Sequence, residues 1–128
     1  MPRFVILRHD PPANGDAVLH WDFMLESGDH LLTWALEREP TYDARIAARQ
    51  LANHRLLYLD YEGPISGGRG TVRRWDVGDF VWKLKQEGEL LVDLSGAILQ
   101  GTAFLTRDSS DDHRWLISFS AGLSTDVR

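Results

Sequence analysis

Turn signals recur along this chain at short, regular intervals, and they constrain its fold more than any other feature. Six breaks are built around Gly, at 14–16, 27–29, 67–68, 77–79, 87–88 and 95–96. Gly and its Asp or Asn neighbours tolerate the positive φ angles of tight hairpins. Short strands are predicted at 3–8, 18–26, 31–36, 56–61, 70–76, 79–85, 89–94, 97–106 and 113–119. This spacing favours antiparallel pairing in a small sandwich or barrel.

One segment has a different composition. Between Pro40 and His54 the run TYDARIAARQLANH is rich in Ala, Arg, Gln and Leu and lacks Gly and Pro. It places Ile46, Arg49 or Gln50, and Asn53 at helical intervals, and Thr41 is a suitable N-cap. The segment therefore predicts a short helix.

Composition limits the number of domains, the location and the metal ligands that this chain can have. The 128 residues, 43% of them hydrophobic, supply one core and little more, which predicts a single domain over 1–128. No apolar run approaches the roughly 20 residues that cross a bilayer, and the first apolar stretch is too short for a signal peptide. We therefore expect a cytoplasmic protein with no membrane partner. Without Cys, any metal must be held by His and carboxylates.

The net charge of -5 argues against a protein that wraps long duplexes through a basic face, because phosphate neutralisation dominates that kind of affinity. A local group of Arg side chains can still bind one or two phosphates at the end of a nucleic acid. Recognition of an end therefore remains open.

A candidate metal site lies in the segment LHWDFML. Strand alternation sends His20, Asp22 and Met24 to one face, and imidazole with carboxylate is a common ligand set for Zn, Mn or Fe. If the first two strands form a hairpin, His9 at the end of the first strand is the natural third ligand. The alternatives are an ordinary polar pair on a surface strand and, for His9, a strand-end histidine capped by its own loop.

His54 and Tyr58 form a second candidate pair, spaced H-x-x-x-Y. A histidine near a metal-bound phosphate can act as general acid or donate a hydrogen bond to the transition state, and a tyrosine hydroxyl can bind a phosphate oxygen. The alternative is a histidine at the end of the predicted helix, stabilised by the helix dipole.

Taken in order, the motifs of this chain resemble the 3′-phosphoesterase domain attached to bacterial DNA ligase D. They run from Arg3 to Phe119: RFVILRHD, LHWDFMLE, LLTWAL, H-x-x-x-Y, DYEGPI, GRGTVRRWDVG, LSGAILQGTAFLTR and WLISF. The resemblance implies a mainly β fold, a small antiparallel β-barrel with one short helix and long connecting loops. It also implies a manganese-dependent enzyme that trims a 3′-terminal ribonucleotide and removes the 3′-phosphate.

The resemblance also implies roles for individual residues. His9, His20 and Asp22 match the family's metal ligands, and His54 and Tyr58 match its phosphate-contacting pair. The metal is then most simply Mn²⁺, with Zn²⁺ and Co²⁺ as alternatives. The expected partners are a nucleic-acid 3′ end and a DNA ligase or polymerase acting in trans.

Two departures from the family pattern stand out. Met24 occupies the place of an arginine that would clamp the phosphate, and a thioether carries no charge. The gap between His9 and His20 is also longer than usual in the family. The candidates to replace the arginine are Arg69, Arg73 and Arg74 near the GRGTV strand, and Arg38 where the family carries a lysine.

Three hypotheses follow. The favoured one is a stand-alone phosphoesterase that processes DNA or RNA 3′ ends in repair. The second is a module that binds nucleic-acid ends without turnover, motivated by Met24. The third is a hydrolase of another, smaller phosphate ester.

Overall fold

The computed structural model describes residues 1–13 and 15–122, which form nine strands of one antiparallel sheet. The strands are β1 (Arg3–Asp10), β2 (His20–Ser27), β3 (His30–Leu36), β4 (Arg45–Arg55), β5 (Gly63–Pro64), β6 (Thr71–Gln86), β7 (Glu89–Gly96), β8 (Gln100–Arg107) and β9 (Arg114–Ala121). Their order is β1-β2-β3-β4-β9-β8-β7-β6-β5, and pairing of β1 with β6 closes the sheet into a ring. The predicted mainly β, antiparallel architecture is confirmed.

Closure of the ring depends on β6, a strand of 16 residues that covers the predicted strand 79–85 and all but the first residue of the predicted strand 70–76. Its first half pairs with β1 and its second half with β7. Gly78 joins the two halves at a point where a Cβ atom would overlap the backbone of Ser95 and Gly96. The turn signal at 77–79 therefore permits close strand approach instead of ending a strand.

The main hydrophobic core fills the inside of the ring. Alternate residues of each strand point inward, and Phe23 is fully buried with its ring centroid 5.5 Å from that of Phe119 and 6.4 Å from that of Trp34. A second, smaller cluster lies on the outer face of β1 and β2, and it comprises Val5, Leu7, Met24, Leu31, Leu59 and Val72. Both faces of β1 and β2 are thus partly covered.

The helix predicted between Pro40 and His54 is wrong. Most of this segment is strand β4, which lies between β3 and β9. Ile46 and Ala48 are buried in the core, so the segment follows the period of a strand. The intrinsic helix preference of Ala, Arg and Gln is overridden because β3 and β9 both need a hydrogen-bonding neighbour to complete the ring.

The predicted strand at 56–61 is also wrong. Leu56–Leu59 form a 3-10 turn that packs against β1, with Leu59 buried in the smaller cluster. This turn places Tyr58 over the outer face of the first two strands. In the part of the chain that the structure describes, no helix is long and apolar enough to cross a membrane.

Candidate metal centre

The β1–β2 hairpin brings the three predicted ligands together. His9 is directly opposite His20 in the register, and Leu7 is opposite Asp22. Residues that face each other across antiparallel strands share a face, so both imidazoles and the carboxylate point to the outer side of the ring. The two imidazole centroids are 4.6 Å apart. The hairpin on which the predicted site depends is therefore present.

Asp22 is the centre of the cluster. One of its oxygens, Oδ2, lies 3.1 Å from Nδ1 of His9, and the other, Oδ1, lies 3.0 Å from Nε2 of His20. The Asp22 side chain is only 5% exposed, whereas the imidazoles are 19% and 26% exposed. The carboxylate is thus buried beneath two imidazoles that reach solvent.

Two backbone carbonyls fix which imidazole nitrogens carry hydrogen. His9 donates from Nε2 to the carbonyl of Arg69 at 2.8 Å, and His20 donates from Nδ1 to the carbonyl of Val18 at 3.0 Å. In a neutral imidazole the other nitrogen is then an acceptor. In the neutral form that a metal requires, both imidazoles would therefore direct an unprotonated nitrogen at the Asp22 carboxylate, whereas in the protonated form the same nitrogens donate to it. Such carbonyl contacts are typical behind metal-binding histidines.

This arrangement fits a divalent cation. Oδ1 of Asp22 is buried without a hydrogen bond, even though Nε2 of His20 is close by. Two lone pairs that face each other at this distance repel unless a proton or a cation lies near both. Ligands that share one metal at bonds of about 2.0–2.2 Å lie about 3 Å apart. The ligand atoms of His9, His20 and Asp22 all lie within 4.8 Å of one another, so the group can hold a metal ion.

The pKa values of the three groups respond to the same contacts. The hydrogen bond to Asp22 raises the pKa of His9 and outweighs its desolvation. Burial is the largest influence on His20 and lowers its pKa, but contacts with Asp22 and the Val18 carbonyl together raise it above the usual value. Burial likewise acts to raise the pKa of Asp22, but the two imidazoles together lower it. The cluster therefore favours protonated histidines around an ionised carboxylate when no metal is bound.

We expect Mn²⁺ and protons to compete for this cluster. A raised histidine pKa stabilises the metal-free fold below the ordinary value of 6.5, and that contribution is lost as the pH rises through the raised pKa. The lowered pKa of Asp22 adds stability above its ordinary value of 3.8. The metal needs neutral imidazoles, so the increase in melting temperature caused by Mn²⁺ is expected to be larger at about pH 8 than at about pH 5.5.

Calorimetry in two buffers of different ionisation enthalpy measures the protons released when Mn²⁺ binds. Chelated protein at the same two pH values is the control for effects of pH on the rest of the fold. An Mn²⁺ effect of equal size at both pH values, with no proton release, would contradict this account.

A cavity of about 70 Å³ joins the predicted metal ligands to the second predicted pair. Its walls include His9 and Asp22 on one side and His54 and Tyr58 on the other. The rings of His54 and Tyr58 meet edge to face with centroids 5.5 Å apart. His54 donates from Nδ1 to the carbonyl of Ala52 at 2.9 Å, which leaves Nε2 available for a ligand. Four of the five predicted catalytic and metal residues thus border one space, and His20 adjoins it through Asp22.

Arg69 also borders this cavity, together with Met24. Met24 is 1% exposed and belongs to the smaller apolar cluster. The Arg69 guanidinium donates from Nε to the carbonyl of Ser66 at 2.7 Å and contacts its hydroxyl at 3.3 Å, while the Arg69 carbonyl accepts from His9. Of the arginines predicted to bind substrate, Arg69 is the one at the cavity.

The other candidate arginines lie elsewhere. Arg38 donates to the carbonyl of Arg45 at 2.7 Å in the β3–β4 connection. Arg73 is exposed and lies 3.8 Å from a carboxylate oxygen of Asp10. Arg74 is opposite Leu7 in the β1–β6 register, but it does not line the 70 Å³ cavity.

Sequence reasoning missed the carbonyls of Val18 and Arg69. No residue type marks a carbonyl that will orient a histidine, because every residue has one. The side chain of Arg69 makes it a candidate in the sequence, but its backbone contact to His9 depends on the pairing of β1 with β6.

The closed antiparallel ring and the His-His-Asp group on its outer face define a small β protein with a candidate divalent-metal centre next to a small cavity. Residues 9–107 match the family described as the DNA Ligase D 3′-phosphoesterase domain, and the chain belongs to this family.

A curated relative is the multifunctional non-homologous end joining protein LigD of Pseudomonas aeruginosa. It is 33% identical over 115 residues, which cover 82% of this chain and 13% of the relative. The chain thus spans a small part of that protein. The resemblance inferred from the sequence motifs is confirmed, and the family supports a role in processing DNA ends during repair.

Proposed function

We propose that this protein is a metal-dependent phosphoesterase that removes a 3′-phosphate or a 3′-terminal ribonucleotide from DNA or RNA ends. The observation that carries the proposal is the single cavity that His9 and Asp22 share with His54 and Tyr58. Its walls place a candidate metal group opposite a histidine and a tyrosine, which are types of group that bind a phosphate. The match to a 3′-phosphoesterase family favours reaction at an end over cleavage within a strand.

The proposed roles follow from the contacts. His9, His20 and Asp22 would hold the cation, most simply Mn²⁺, with Zn²⁺ or Co²⁺ as alternatives. A divalent cation there would polarise a phosphoryl oxygen and stabilise charge that develops on it. The carbonyls of Val18 and Arg69 would keep both imidazoles turned toward Asp22.

The opposite wall supplies the groups that act on phosphate. In its protonated form His54 would use Nε2–H to donate to the phosphate or to give that proton to the leaving oxygen and become neutral, while Nδ1–H stays bonded to the Ala52 carbonyl. Tyr58 would donate its hydroxyl to a second phosphate oxygen and hold it in place. The Arg69 guanidinium retains N–H groups beyond the two bonded to Ser66, and they would supply the positive charge that Met24 lacks.

The direct test is release of phosphate from a 3′-phosphorylated primer-template in the presence of Mn²⁺, with a 3′-ribonucleotide primer assayed in parallel. We expect His54→Ala to lower the rate by about 10²–10⁴-fold, the usual contribution of a general acid or base. His30→Ala is the matched control, because His30 lies on the adjoining strand beside the partner of His54 and points to Asp29. Wild-type protein inactive on both ends with Mn²⁺, Zn²⁺ and Co²⁺ would refute the proposal.

A second candidate function is binding of nucleic-acid ends without turnover. The observation that favours it is the buried thioether of Met24, at the position where the resemblance to the family implies an arginine. Tight binding of a 3′-phosphorylated oligonucleotide with Mn²⁺, and no product, would identify this function. Turnover of a nucleoside monophosphate but not of a duplex end would instead identify a hydrolase of small phosphate esters.

The proposed partners follow from the same activity. A repaired 3′-hydroxyl is the substrate that polymerases and ligases extend or seal, and the relative from Pseudomonas aeruginosa is named for end joining. We propose that a ligase or polymerase takes up the product in trans. We also propose that this protein acts in the cytoplasm.

A further inference from the structure

A second and larger depression, of about 730 Å³, adjoins the metal centre on the side of His20. We call it the His20 groove. Val18 and Leu19 form one wall, and the ends of β3 and β4 form the floor, where the small residue Ala35 leaves space. His20 lines this groove, whereas His9 and Asp22 line the 70 Å³ cavity. The three donors therefore lie between a smaller depression and a larger one.

The strand register connects the candidate metal centre to the His20 groove through a row of paired residues. Asp22 is opposite Ala35, Ala35 is opposite Arg49, and Arg49 is opposite Arg114. These four residues form one row across β2, β3, β4 and β9, and directly paired residues share a face. At about 4.8 Å per strand, Arg49 lies about 10 Å from Asp22 and Arg114 about 15 Å from it.

The two arginines form an unfavourable pair on their own. Like charges directly opposite each other on neighbouring strands are destabilising. Neither Arg49 nor Arg114 forms a side-chain ion pair with a carboxylate among residues 1–13 and 15–122. Both are exposed, and Glu37 lines the same groove. Asp108 is close enough to Arg114 for their charges to attract, without forming an ion pair. An anion bridging the two guanidinium groups would relieve their repulsion.

We propose that the His20 groove binds the single-stranded backbone that leads to the reacting 3′ end, with Arg49 and Arg114 contacting phosphates upstream of the terminal one. This inference rests on the proposed function and adds to it the path of the substrate. Val18, which is 76% exposed, offers an apolar surface for a sugar or base along that path. Ala35 keeps the floor low enough for a chain to pass.

Length and salt dependence test this path. Fluorescence anisotropy would measure binding of single-stranded DNA with a 3′-phosphate, from a dinucleotide to a decamer, to metal-loaded wild type, Arg49→Gln, Arg114→Gln and the double variant. For the decamer we expect each single variant to lose about 5–10-fold in affinity and the double variant more. The slope of log affinity against log salt should become shallower by about 0.7 for each phosphate that an arginine no longer neutralises. The dinucleotide should bind all four proteins equally.

Arg45→Gln is the matched control. Arg45 lies on the same face of β4, four residues from Arg49, and borders a different depression. Equal decamer affinity in the wild type and the double variant would overturn the proposed path, as would an equal loss in Arg45→Gln. The like-charge repulsion provides a second readout: at low salt without DNA, Arg49→Gln should melt at the same temperature as the wild type or higher. A lower melting temperature in Arg49→Gln would overturn the inference that Arg49 and Arg114 repel each other.

The two proposals can fail separately. Wild-type binding that depends on Arg49 and Arg114 but produces no product would leave the groove standing and reject catalysis. Normal phosphate release together with unchanged decamer binding in the double variant would reject the groove and leave catalysis standing.

Discussion

Asp22→Asn is expected to lower the affinity for Mn²⁺ by at least about 100-fold and to abolish measurable phosphoesterase activity, while the ring remains folded. Asp22 contacts both imidazoles, and an amide has nearly the same shape as a carboxylate but no charge for a cation. Loss of groups that merely orient metal ligands already costs 10–100-fold, so loss of a ligand should cost more. Calorimetry with Mn²⁺, the 3′-phosphate assay and circular dichroism measure the three effects.

Asp29→Asn provides the control for this substitution. Asp29 also forms an Asp–His pair, with His30 at 2.9 Å, but the Asp29 side chain is 98% exposed and lies far from His9, His20 and Asp22. We expect it to bind Mn²⁺ and release phosphate as the wild type does. Normal Mn²⁺ affinity in Asp22→Asn would exclude the proposed metal centre.

Phe23→Ala, one residue further along the same strand, is expected to destabilise the fold by about 3–5 kcal/mol, the usual cost of removing a buried phenyl group. Phe23 is fully buried inside the ring and packs against Phe4, Trp34 and Phe119. Since domains of this kind have about 5–15 kcal/mol of stability, much of the total would be lost. We expect the melting temperature to fall by roughly 10–20 °C.

Phe104→Ala is the control, because Phe104 is 39% exposed on β8. It should shift the melting temperature by only a few degrees. At low temperature, where the Phe23→Ala protein is still folded, the affinity of that variant for Mn²⁺ should be close to that of the wild type. The Phe23 side chain faces away from His9, His20 and Asp22. A stability loss below about 1 kcal/mol would contradict the inferred packing.

The metal cluster was predictable because it depends on local rules. Strand alternation places His20 and Asp22 on one face, and a hairpin of β1 with β2 brings His9 opposite His20. Neither step needs knowledge of the rest of the chain. The role of His9, His20 and Asp22 as metal ligands stays a prediction, which the Asp22→Asn substitution tests.

The β4 segment was mispredicted because its conformation is decided by distant partners. Its residues favour a helix locally, and only the unpaired edges of β3 and β9 make a strand preferable. The same error concealed Arg49, which in a helix would have no fixed relation to Arg114 on β9. His54 and Tyr58 were named from a motif, but their approach to Asp22 depends on the β3–β4 register and the 3-10 turn.

The bond from His9 to the carbonyl of Arg69 links the metal centre to the way the chain folds. The β1–β2 hairpin can form as soon as both strands have left the ribosome, but Arg69 is synthesised about forty residues after Ser27, where β2 ends. Until β6 joins β1, the imidazole of His9 has no partner that holds its Nε2. A nascent chain without β6 therefore presents an incomplete form of the proposed metal centre, and we expect full affinity for the ion to require the pairing of β1 with β6.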